Sequence, residues 1–253
     1  MPHRCSITIV WTACAIGAMI GCGEASQRES FTADPSRQRE RNDMVEEQLV
    51  ARGVRDRAVL AAMRRVPRHR FVPDMYAPFA YGDGALPIGH DQSISQPYLV
   101  ARMTEALALR GKERVLEVGT GSGYQAAVLA EIAAQVYTIE ILAPLADRAA
   151  KRLAELGYAN VQVRAGDGYL GWPEAAPFDA ILVTAAADHV PEPLLRQLAP
   201  GGRLILPLGR FFQRLVLYRR TQEGYERTEL DYVRFVPLIR QEPRPGAEGG
   251  GAP

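Results

Sequence analysis

Arg114-Val-Leu-Glu-Val-Gly-Thr-Gly-Ser-Gly-Tyr-Gln125 is a short β-rich run that passes through three alternating glycines into a helical pattern. Residues 114–118 have the apolar, β-branched content of a buried strand, and residues 124–133 read as a helix. Gly119, Gly121 and Gly123 let the backbone approach a ligand where no side chain would fit. A nucleoside is the expected occupant. The stretch alone does not say which one.

Downstream, strand and helix patterns alternate over 114–118, 124–133, 135–140, 144–156, 161–165, 179–184, 191–198 and 203–208. Short apolar strands separated by amphipathic helices imply an α/β fold with a mostly parallel, Rossmann-like sheet covered on both faces. After Gly209 the pattern changes. Residues 212–219 and 225–233 flank Thr221-Gln-Glu-Gly224, which predicts a C-terminal antiparallel hairpin at one sheet edge. Residues 241–253, rich in Pro, Gly and Glu, read as a disordered tail.

Upstream, Asn42 or Asp43 can cap a helix carrying Met44, Val45 and Leu49 and stopped by Gly53. A second N-terminal helix, 56–65, presents Val59, Leu60 and Met63 on one face. Pro67, Pro73 and Pro78 interrupt regular structure. Residues 81–97, full of Gly, Pro and small polar groups, read as a long loop, and such loops are often functional. Pro97 suits the first turn of a helix reaching about Leu109, with Ser95 or Gln96 as its N-cap.

The chain opens with a short basic stretch ending at Arg4 and an uncharged apolar run over 6–21, too short to span a bilayer but suited to a secretory signal. Met19-Ile-Gly-Cys22 resembles a bacterial lipobox, although leucine is usual where Met19 stands. The expected organisation is a lipoprotein-like signal peptide over 1–22, a flexible linker over 23–41, a catalytic domain over 42–240 and the tail over 241–253. Lipidation of Cys22 would anchor the protein in the cell envelope or periplasm. The alternative is a cytoplasmic protein translated from near Met44.

The formal net charge is +1, from 30 basic and 29 acidic residues, so no nucleic-acid partner is expected. All three cysteines lie within the first 22 residues, which leaves the body without a thiolate site or cysteine nucleophile. His69, His90 and His189 are scattered, and no metal is expected. A monomer is the expectation.

A dinucleotide fingerprint would need its third glycine where Tyr124 stands. The next strand ends at Glu140, 21 positions after Gly119, where a carboxylate can accept both ribose hydroxyls of NAD or of S-adenosylmethionine. The third strand ends at Ala165-Gly-Asp-Gly168, placing Asp167 at the same edge to receive an adenine amino group. Two acids would repel a pyrophosphate, and no P-loop lysine is present, so S-adenosylmethionine is favoured. The cofactor-binding set is Glu117, Gly119, Thr120, Gly121, Ser122, Gly123, Glu140, Asp167 and Gly168. Plainer readings exist: Glu140 can cap the following helix, and Asp167 can start a turn. Glu117 either bonds loop amides or lies near the methionine portion.

The fourth strand runs into Ala185-Ala-Ala-Asp188 rather than the Asn/Asp-Pro-Pro-Tyr turn that shapes an amino acceptor. Ala85-Leu-Pro-Ile-Gly89, Ser93-Ile-Ser-Gln-Pro-Tyr98, Leu116-Glu-Val-Gly-Thr-Gly-Ser-Gly-Tyr-Gln125, Gly166-Asp-Gly168, Phe178-Asp-Ala-Ile-Leu-Val-Thr-Ala-Ala186 and Arg234-Phe-Val-Pro-Leu238 resemble the protein-L-isoaspartate (D-aspartate) O-methyltransferases. The likeness spans residues 44–238. It implies methylation of the α-carboxylate of L-isoaspartyl, and some D-aspartyl, residues in damaged proteins and peptides. It also implies that Ser95 is the active-site serine, orienting the acceptor carboxylate, and that Ser93 lines the same pocket. Without the likeness, Ser95 reads as a helix cap. Asp83 and His90 receive no chemical role, and His90 and His189 are expected at the surface. The rival functions are methylation of a small molecule or another carboxylate, and a non-catalytic envelope lipoprotein that keeps the fold.

Overall fold

The computed structural model describes Met1 and residues 35–240. The signal segment with Cys22, most of the 23–41 linker and the 241–253 tail lie outside the described residues. In chain order the elements are α1 (Gln38–Met44), α2 (Arg57–Arg65), β1 (Leu86–Gly89), β2 (Gln92–Ile94), α3 (Pro97–Leu107), β3 (Arg114–Val118) and α4 (Tyr124–Ala130). They continue as β4 (Gln135–Glu140), α5 (Ala143–Glu155), β5 (Val161–Ala165), β6 (Phe178–Val183), α6 (Glu192–Arg196), β7 (Leu198–Leu208), β8 (Gln213–Arg220) and β9 (Tyr225–Val233).

The main sheet has seven strands in the order β5-β4-β3-β6-β7-β8-β9. β5 to β7 are mutually parallel, while β8 and β9 form the antiparallel hairpin at the edge. This is the expected α/β class. The 203–208 strand is longer than expected, beginning at Leu198, and the helix before it is correspondingly short.

Alternation along the strands builds two cores. Val115, Val136, Ala180 and Ile205 face a cluster supplied by α1 to α5, whereas Leu116, Tyr137, Ile181 and Leu204 face one containing Leu194 of α6. Strand order reverses at β3, with β4 on one side and β6 on the other. Val118 pairs with both Ile139 and Val183, so the three carboxyl ends are flush. That switch point is where open α/β sheets leave a ligand crevice.

Three expectations need correction. The last residues of the 23–41 linker are helical, and Asn42 and Asp43 lie inside α1 rather than at its start. A charge-rich segment reads as a tether, yet Arg41 is buried, its guanidinium donating to Arg64 O (3.1 Å), Ser36 O (2.9 Å) and Tyr81 Oη (3.1 Å). Residues 81–97 are not all loop, because β1 and β2 form a hairpin. Its turn residues, His90 and Asp91, both have positive φ (53° and 55°), as a two-residue primed turn requires. Glycine or asparagine usually signals that turn, so His-Asp hides it. Of the two N-caps expected for α3, Gln96 holds the position, without a side-chain cap bond.

Candidate active site

The turn after β3 is shaped by contact. Gly119 has φ +97°, and a Cβ there would collide with the Thr184 hydroxyl. That hydroxyl points at the carbonyls of Gly119 (2.7 Å) and Val118 (3.1 Å), tying the end of β6 to the glycine turn. Gly123, with φ +88°, is the N-cap of α4, and its N–H donates to Thr120 O (2.8 Å).

Around this turn one cavity is lined by Ser95, Glu117, Gly119, Thr120, Gly121, Ser122, Glu140 and Gly168. Eight of the expected site residues thus meet around one cavity. Gly123 and Asp167 do not join them. Gly123 serves the turn, and Asp167 accepts the Tyr169 N–H (2.9 Å), as a turn-starting carboxylate does. Asp167 remains next to Gly168, whose own Cβ position is filled by the Val118 side chain.

Glu140 accepts the N–H groups of Gly121 (2.8 Å) and Leu142 (3.0 Å), bracing the glycine turn against the start of α5. A carboxylate has about four lone-pair sites, so this leaves capacity for a ligand's hydroxyls. Glu117 is fully buried. Its Oε2 accepts from Thr138 (2.6 Å), whose hydroxyl in turn accepts from Thr120 (2.6 Å). Oε1 has no partner among the described residues. Burial pushes this carboxyl up to about 8. An unpartnered buried carboxylate oxygen on a cavity wall suits a ligand cation, which fits the ammonium of the methionine portion of S-adenosylmethionine.

A second cavity adjoins the first. It is lined by Arg52, Asp83, Gln96 and Tyr98 on one side and by residues 231–237 on the other. Ser93, Ser95, Thr184, Val236 and Pro237 line both cavities. Asp83 has a definite place here: it accepts from Gln96 Nε2 (2.6 Å) and from Arg52 (3.1 Å), whose guanidinium lies 3.7 Å over the Tyr98 ring. His90 and His189 are exposed, as expected.

Sequence reasoning missed Thr184, Thr138 and the strap after β9. That strap is bridged to the 185–187 segment by Ala186 N–H to Val236 O (2.8 Å) and Leu238 N–H to Ala186 O (2.7 Å). The Arg234-Phe-Val-Pro-Leu238 motif was visible as a likeness, but its place over the cavities was not.

A family model described as protein-L-isoaspartate(D-aspartate) O-methyltransferase matches residues 39–243. The chain belongs to this family. A protein-L-isoaspartate O-methyltransferase of Gloeobacter violaceus is 58% identical over 203 residues, covering 79% of this chain and 99% of its own. One from Nitrosospira multiformis is 60% identical over 203 residues, covering 78% and 86%. Among solved structures, a protein-L-isoaspartate O-methyltransferase matches with TM-score 0.70 and 30% identity over 79% of this chain and 65% of that one. A Plasmodium falciparum structure assigned to the same enzymes, in complex with S-adenosyl-L-homocysteine, matches with TM-score 0.68 and 25% identity over 79% and 99%.

Proposed function

We propose that this family member is a repair methyltransferase that transfers a methyl group from S-adenosylmethionine to the α-carboxylate of L-isoaspartyl, and some D-aspartyl, residues in damaged proteins. The observation that carries the reading is the shared wall: Ser95 lines both the cavity holding the glycine turn and the cavity beside it. When bound, S-adenosylmethionine supplies a methyl group on a sulfonium. The glycine turn and Glu140 would hold the nucleoside portion, and Glu117 would face the ammonium.

Ser95 orients the acceptor carboxylate in the neighbouring cavity through a hydrogen bond donated by its hydroxyl. A carboxylate of ordinary pKa is ionised at neutral pH, so no general base is needed. Attack by an anion on a sulfonium neutralises charge, so exclusion of water by Val236, Pro237 and Leu238 favours it. The protein's contribution is positioning. Labelled S-adenosylmethionine, offered with an isoaspartyl peptide and its normal aspartyl twin, tests the assignment. Label in the isoaspartyl peptide alone is expected; equal label in both, or in neither, defeats it.

We further propose that the mature protein is a monomer tethered in the cell envelope through a lipidated Cys22. The apolar 6–21 run and Met19-Ile-Gly-Cys22 support that location. Fractionation with N-terminal mass analysis tests it: a mature chain beginning near Met44 in the soluble fraction would overturn the tether. Size-exclusion chromatography with light scattering tests the monomer.

A further inference from the structure

The β7–β8 turn carries two adjacent phenylalanines that bury almost nothing: Phe211 is 91% exposed and Phe212 87%. The turn is not loose. Gly209 has φ +119°, and the space a Cβ would take is filled by the Phe212 carbonyl, so the chain doubles back tightly and both rings point outward. Gly209 N–H donates to Ala187 O (2.9 Å), and Arg210 pairs with Asp188 (3.7 Å).

The next residue joins this tip to the second cavity. Gln213 pairs with Val233 across the sheet, and its side chain holds Phe235 at both the N–H (2.6 Å) and the carbonyl (3.0 Å). Val233 and Phe235 line the second cavity, together with Tyr232 and Arg234. Tyr232 is itself 70% exposed, and Arg214 fixes it, stacking at 4.0 Å and donating to its hydroxyl. Phe211, Phe212 and Tyr232 together leave on the order of 500 Å² exposed, comparable to the largest apolar patch of a typical monomer, which is often functional.

We infer that this aromatic ledge receives an apolar side chain flanking the isoaspartyl residue of an unfolded polypeptide. The inference rests on the proposed repair activity. An acceptor that is one residue of a polypeptide brings its neighbours with it, and those neighbours leave the cavity across its rim. The ledge meets the cavity that takes the acceptor at Tyr232, which lines it, and this favours the polypeptide as occupant. Beside it Arg210 pairs with Asp188 while Arg214 and Arg227 share Glu229, a modest positive excess, so vesicle binding is measured alongside. The ledge therefore selects damaged segments by apolar context as well as by the altered residue.

The test uses the full chain and its Phe211→Ser/Phe212→Ser variant with two isoaspartyl peptides of equal length and charge. One carries Leu and Phe within three residues of the isoaspartyl; the other carries Ser and Gly there. The variant is expected to raise KM for the apolar peptide about tenfold, since it removes partial burial of one large side chain. For the polar peptide the expected change is under about twofold, with cofactor affinity and Tm unaltered. Leucine at both positions should restore the preference. Equal KM values for the two peptides in the unaltered protein, or equal shifts of both in the variant, overturn the ledge. So does a variant that keeps the preference while losing binding to phosphatidylglycerol vesicles or a dimer, since the occupant is then lipid or a second copy. Failure of the unaltered protein to prefer isoaspartyl over aspartyl peptides is a separate result, and removes the underlying activity as well.

Discussion

Burial raises the Glu117 carboxyl to about 8, against the opposing hydrogen bond from Thr138 and with the help of nearby Glu140. In the unfolded chain the same group ionises near the ordinary 4.5. Between those values the folded state holds a proton that the unfolded state has released, so stability falls as pH rises. The slope approaches about 1.4 kcal/mol per pH unit for one group, and it flattens above pH 8. Glu117→Gln removes this titration. Cofactor-free thermal melts should show the variant above the parent at pH 8 and close to it at pH 5. The same change should weaken S-adenosylmethionine binding about tenfold or more, because a neutral amide replaces the anion facing the ammonium. A parent whose Tm is flat from pH 5 to 8 would sink the assignment. Ser95 is tested differently. Freed from any cap role, its hydroxyl is expected to act on the acceptor, so Ser95→Ala should lower kcat by roughly ten- to a hundredfold. Cofactor affinity, read by calorimetry, should stay within about twofold; its loss would make the serine structural.

The glycine turn is a joint between three strands and a helix, and its tolerance is set by Thr184. Gly119→Ala adds a Cβ at φ +97° directly against the Thr184 hydroxyl, so the turn must open or the end of β6 must move. Strain and collision together should cost about 2–4 kcal/mol and abolish measurable cofactor binding; denaturant melts and calorimetry check both. This joint also shows what the sequence could reveal. Short apolar and β-branched runs made β3, β4 and β5 legible almost to the residue, and a helical stripe did so for α2, since central parallel strands are buried on both faces. The Gly119–Gly123 run and Glu140 were visible because few residue types meet their backbone or charge requirements, whereas Ser95 was visible only through the family likeness. Thr184 was hidden, as a threonine ending a strand has no spacing signature. The β1–β2 hairpin was hidden by its His90-Asp91 turn, and the start of α1 by Arg41, whose partners include the sequence-distant Arg64 carbonyl and Tyr81 hydroxyl. Contacts of that kind belong to the fold and leave no local mark.

At the scale of the whole molecule, the sheet makes the proposed cofactor side and the strap after β9 makes the barrier between cavities. Val236 and Pro237 line both, while Leu238 and Ile239 close the cofactor side. This strap contributes little to the sheet: its ties are the Ala186 bridge, the Gln213 clamp on Phe235 and the Arg240 guanidinium stacked 4.0 Å over Tyr169. Folding and activity should therefore separate on truncation. A chain ending at Val233 retains all nine strands and loses only the partly buried Phe235 and Leu238 from the edges of the two cores, so far-ultraviolet circular dichroism and a cooperative melt should survive. Methyl transfer should fall at least about a hundredfold, since water enters and the acceptor loses one wall. A chain ending at Arg240 keeps the strap and should match the full protein. Full activity from the Val233 truncation would mean that Ser95 and Thr184 alone define the junction, and the strap would then be only a cover.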